Sequence, residues 1–120
     1  MHKKIRNDVA RAADLLRDLP EDSMEAVERL GEVRELLDDV LNDAMAEAAL
    51  EGASLRSVAL RAGLSPNAVP PRLARTETLG GYSDPDGKVG STSVERARYD
   101  SELGRPAPKP KMTFKRRRAT

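Results

Sequence analysis

Between Ser54 and Arg75 the chain reads SLRSVALRAGLSPNAVPPRLAR, and the parsing of this stretch decides the fold. It reads as two short helices that cross steeply around a tight turn, so a small residue is needed where they touch and Ala59 stands there. Four residues later the turn calls for a positive φ, which Gly63 supplies without steric cost. Val58, Ala62, Leu64, Val69 and Leu73 are the apolar positions expected to seal the unit. Ser65 is placed as the N-cap of the second helix and Pro66 at its first position, where a missing N–H costs nothing.

Taken together, these residues resemble the helix-turn-helix family of bacterial and phage regulators over about 22 residues. The resemblance implies duplex DNA as partner, gripped by the start and exposed face of the second helix. Carried onto this chain, those positions are Ser65, Pro66, Asn67, Pro70 and Pro71, with Arg72 and Arg75 further along. Asn67 suits adenine, and the arginines suit guanine or phosphate. Arg56 and Arg61, on the first helix, are expected at phosphates. Pro70 and Pro71 depart from the family, whose second helix is continuous here. An interior proline costs about 3 kcal/mol, so the helix either starts near Pro70 or kinks.

Downstream, Leu79-Gly80-Gly81-Tyr82-Ser83 leads into Asp84-Pro85-Asp86-Gly87 and then Lys88-Val89. Pro second and Gly fourth fit a type I turn between two short strands. A hairpin here would be similar to the wing of MerR-type activators and phage excisionases, with Lys88 near the DNA backbone; the alternative is an irregular glycine-rich loop. Thr92 with Glu95 suggests a capping box that opens a short helix to about Leu103, with Gly104 ending it. Gly104-Arg105-Pro106 resembles the core of an AT-hook, but Leu103 stands where an upstream basic residue belongs. Residues 105–120 are expected to be a disordered basic tail. Arg105, Lys109, Lys111, Lys115, Arg116, Arg117 and Arg118 would bind polyanions by counterion release, or else serve only solubility.

Upstream, Ile5, Val9, Ala12, Leu16 and Leu19 share one face of a helix over 3–19, which Pro20 interrupts. Asp22 with Glu25, or Ser23 alone, caps a long helix over 23–50. Val27, Leu30, Leu37, Leu41, Ala44 and Ala48 follow a heptad register with Arg34 as its polar exception, and Val33, Leu36 and Val40 widen the stripe. At about 1.5 Å per residue this helix spans roughly 40 Å, more than the first helix can cover. A second copy of the chain, giving a homodimer through residues 23–50, or an intramolecular hairpin closes the account. The expected units are an acidic helical hairpin over 1–51, a DNA-binding unit over 52–104 and the tail.

Composition agrees with a mainly α fold. Aromatics make up 2% of the chain, so the core must come from Leu, Val, Ala and Met, which favours helices over sandwiches. The net charge of +1 hides an acidic first half and a basic second half, a split suited to one polyanion-binding surface. The chain has no cysteine and a single histidine, His2, so thiol chemistry is excluded and no zinc site or acid–base relay is expected. No apolar run reaches membrane-spanning length and no secretory core follows Lys3-Lys4, so a cytoplasmic location is the expectation. No nucleophile–base pair, P-loop or dinucleotide fingerprint is found. The sequence therefore reads as a non-enzymatic DNA-binding regulator without cofactor, small-molecule ligand or membrane contact. Its rivals are a protein adaptor with a degenerate helix-turn-helix and a phage packaging or nucleoid-organising subunit.

Overall fold

A computed structural model describes residues 3–108. The elements in order are α1 (Lys3–Arg17), α2 (Ser23–Leu50), α3 (Leu55–Ala62), a 3-10 turn (Pro66–Ala68), α4 (Val69–Leu73), a second 3-10 turn (Gly80–Tyr82) and α5 (Ser91–Glu102). The described residues contain no strand, so the fold is helical and the expected β-hairpin after α4 is absent. The basic residues Lys109, Lys111, Lys115, Arg116, Arg117 and Arg118 lie outside the described residues.

α1 and α2 form an antiparallel hairpin. Ile5 and Ala12 of α1 and Val33 of α2 are buried. Arg29 closes the turn by donating to the carbonyls of Leu15 and Asp18, both at 3.1 Å, where α1 leaves its last carbonyls unpaired. The salt bridge from Lys4 to Asp43, 2.7 Å, ties the start of α1 to α2 and raises the Lys4 pKa, chiefly through that hydrogen bond. Asp22 is the N-cap of α2, its carboxylate accepting from the Glu25 N–H at 3.1 Å. Substitution by Ala at such a cap costs about 1 kcal/mol.

α2 does two jobs along its length. From Arg29 to Asp43 it lies along α1. Its C-terminal half buries Met45, Ala46 and Ala49 in the main core with Val58, Ala59, Val69, Leu73, Leu79, Tyr82, Val89, Val94 and Ala97. The core therefore crosses the boundary that the sequence suggests at 51/52. The small alanines on this side of α2 let α3, α4 and α5 pack closely on one rod. Arg98 of α5 reinforces the junction, its Nε donating to the Ala49 carbonyl at 3.0 Å near the end of α2. The heptad stripe is only partly covered: Val27, Leu30 and Leu37 remain exposed, as do Val9 and Leu16 of α1.

α5 begins one residue before Thr92. Gly90 is its N-cap and no side chain caps it, so the expected Thr92–Glu95 box does not set its start. At its other end Gly104 adopts φ 72°. Its N–H bonds to the Ser101 carbonyl at 3.1 Å, and the Arg105 N–H reaches back to the Asp100 carbonyl at 2.8 Å. This is a Schellman stop. Arg105 then lies 3.8 Å from the Asp100 carboxylate and over the Tyr99 ring, so Gly104-Arg105 terminates a helix and is not an extended AT-hook core.

Candidate nucleic-acid interface

The central unit is built as its residues dictate. Ser54 caps α3, its hydroxyl accepting from the Ser57 N–H at 3.1 Å. Ala59 is 1% exposed at the helix crossing. Gly63 ends α3 at φ 74°, and the Leu64 N–H returns to the Ala59 carbonyl at 2.9 Å. Val58, Val69 and Leu73 are buried, with Ala62 and Leu64 packed at the margin.

The proline problem is resolved by splitting the second helix. Pro66–Ala68 form a 3-10 turn, and α4 starts afresh at Val69 with prolines in its first turn. There the first N–H groups of a helix have no internal partner, so Pro70 and Pro71 cost little. The consequence is a second helix of only five residues. Ser65 has the extended backbone of an N-cap, but its hydroxyl makes no capping bond.

Ser65, Asn67, Arg75, Arg56 and Arg61 are exposed on or beside this unit. Arg61 also lines a groove between α2 and α3. Arg72 is placed otherwise. Its Nη1 donates to Asn42 Oδ1 at 3.1 Å and lies 3.5 Å from Asp38 Oδ1, and its side chain is 24% exposed. The expectation that Arg72 faces outward is therefore corrected: it fastens α4 to α2. Asn42, itself buried, was not singled out from sequence, because nothing in its local pattern marks it as the acceptor for an arginine 30 residues on.

The segment after α4 packs on it as a loop. The Val89 N–H donates to the Pro70 carbonyl at 3.0 Å, which places Lys88 beside the start of α4, exposed. The expected turn at Asp84-Pro85-Asp86-Gly87 is formed, with Gly87 N–H to Asp84 O at 2.9 Å. The strands are not, because the Asp84 carboxylate accepts the Asp86 and Lys88 N–H groups at 2.9 and 3.0 Å. A strand would need the Lys88 N–H for a ladder. With Asp84 and Asp86 against Lys88, residues 84–88 carry a net charge of 1 − 2 = −1, a poor phosphate clamp. Arg105 stands apart at the end of α5, engaged with Asp100 and Tyr99.

Among the described residues no group of three or more His, Cys, Asp or Glu side chains is arranged to hold a metal ion, and no helix is long and apolar enough to cross a membrane. No family model, curated protein or solved structure matches this chain.

Proposed function

We propose that this chain is a non-enzymatic protein that binds duplex DNA as a dimer, in the manner of small bacterial or phage regulators, through the α3–turn–α4 unit. The observation that carries the reading is the helix crossing at buried Ala59, with a left-handed Gly63 turn and Arg56, Ser65, Asn67 and Arg75 left exposed around it. Base reading falls to Asn67 and Arg75, phosphate contact to Arg56 and Arg61, and added affinity to the tail from Lys109 to Arg118. Self-association is assigned to residues 23–50.

A second reading, DNA gripping without sequence preference as in packaging or nucleoid organisation, is favoured by one observation: α4 is five residues long and its Arg72 is turned inward. A salt titration separates the two. Wild type, a deletion of residues 109–120, Asn67→Ala, Arg75→Ala and Arg72→Ala are titrated on a random duplex and on one enriched by the protein from a random pool. The deletion weakens both duplexes by similar factors and flattens log K against log salt, since roughly 0.9 counterions are released per phosphate neutralised. Asn67→Ala and Arg75→Ala each cost about 1–3 kcal/mol on the enriched duplex and much less on the random one. Arg72→Ala lowers folding stability more than discrimination. Equal losses on both duplexes would move the non-specific reading ahead, and no binding at low salt would end both.

A further inference from the structure

The uncovered stripe of α2 is lopsided. At its N-terminal end side chains protrude: Met24 is 74% and Val27 60% exposed. At its C-terminal end the same stripe sinks into an apolar groove of about 500 Å³, walled by Leu41, Ala44 and Ala48 on α2 and by Val58, Arg61 and Ala62 on α3. Leu30 and Leu37, both exposed, join the two ends. Arg34 occupies the core position between them and makes no ion pair with any described residue.

We propose that this face is covered by a second copy of the chain, with its α2 antiparallel to the first, each copy setting Val27 into the other's groove. The inference rests on the dimeric reading above and gives it an arrangement. A two-fold interface must be self-complementary, residue i meeting j while j meets i. The antiparallel register that gives every layer between Val27 and Ala44 at least one apolar side chain pairs Leu30 with Leu41 of the second copy, Val27 with its Ala44, and Arg34 with its Leu37. Each protruding Val27 then meets a concavity. Arg34 lies next to Asp38 of the second copy, whose side chain is 53% exposed in the single chain although its Oδ1 lies 3.5 Å from Arg72. The parallel alternative sets Arg34 against Arg34 in a heptad core, stacks Val27 on Val27 and leaves groove opposite groove. Like charges facing each other and unfilled apolar volume both disfavour it.

The arrangement has a metric consequence. The axis passes between residues 35 and 36, and the α2 positions in the main core, Met45 to Ala49, lie about ten to thirteen residues away. At about 1.5 Å per residue the two α3–α4 units are separated by roughly 30–40 Å along α2. Half-sites one turn of duplex apart are about 34–36 Å from centre to centre.

The absence of cysteine from the chain gives the test a clean background. Full-length Val27→Cys and Ala44→Cys are prepared separately, mixed without DNA, and treated with a short bis-maleimide while sedimentation reads the mass. The expected result is a dimeric mass, a covalent dimer in the mixture, and little from either variant alone. Covalent dimers from each variant by itself would show parallel helices and overturn the arrangement. A dimeric mass with no cross-link would place the contact elsewhere and also overturn it. A monomer at tens of micromolar would remove the dimeric reading itself, while the duplex titration would still judge DNA binding on its own.

Discussion

The phenol of Tyr82 is 7% exposed and donates to Asp100 Oδ2 at 2.7 Å, with Arg96 over its ring. Burial first, and then the carboxylate partner, push its pKa above the ordinary value of 10.0. The neutral phenol is the form the fold favours. The stabilisation is therefore complete below pH 10 and is lost as pH rises through 10 and then through the higher folded pKa. Tyr82→Phe removes the bond at neutral pH and with it the alkaline sensitivity. Urea unfolding from pH 8 to 11 should show the stability gap between wild type and Tyr82→Phe narrowing as pH rises; a constant gap would mean that the phenol contributes nothing that titrates. Residues whose roles are local were legible in the sequence: Gly63 as the positive-φ turn, Ala59 as the contact residue and Asp22 as a cap. Arg72 was not, because a long flexible side chain near a helix face reaches inward or outward according to what the tertiary fold brings beside it. Here that is Asn42 and Asp38.

Helices were legible where apolar periodicity and end signals agreed. The extent of α2 follows from Asp22 before it and Gly52 after it, where the Ala53 N–H turns back to the Ala48 carbonyl at 3.0 Å. After α4 the sequence alone leaves hairpin and glycine-rich loop both open, because a turn signal says where the chain reverses and is silent on whether its flanks pair. That was decided by the Asp84 carboxylate taking the Lys88 N–H and by Pro70 taking the Val89 N–H. The close crossing of α3 and α4 leads to a second prediction. Ala59→Leu adds three carbons where Ala59 is 1% exposed, and overpacking of this kind costs about 1–3 kcal/mol. Because α2 shares that core, the loss should reach its C-terminal half as well. Denaturation followed by circular dichroism should give a lower midpoint, and hydrogen exchange should quicken around Met45 and Ala49. An unchanged midpoint would contradict a close crossing at this residue.

At the scale of the whole chain, residues 1–51 are acidic, whereas residues 52–104, with 7 Lys/Arg and 6 Asp/Glu, are close to neutral and the basic excess lies beyond them. Composition separates the halves, whereas Met45, Ala46 and Ala49 belong to the core of the second while sitting on a helix of the first. A core that spans the composition boundary makes the two parts unfold together. Helix content and the emission of the two tyrosines, Tyr82 and Tyr99, should lose their native values at one common denaturant concentration. A fragment starting at Ala53, stripped of α2, should show no cooperative transition. A folded fragment would demonstrate that α3, α4 and α5 need no rod.

The length of that rod is also an angle. Each helical residue advances the chain by about 1.5 Å and turns it by about 100°. One residue inserted after Leu37 would leave Val33 facing α1 and Met45 in its own core, yet swing everything beyond by more than a quarter turn around the hairpin and carry Asp43 away from Lys4. Seven inserted residues would restore the azimuth to within about 20° and move the second half about 10 Å outward. Changes in the length of α2 are therefore not graded. They fall into steps of three, four or seven residues that keep both halves in phase, separated by lengths at which Leu30 and Leu41 no longer lie on one line.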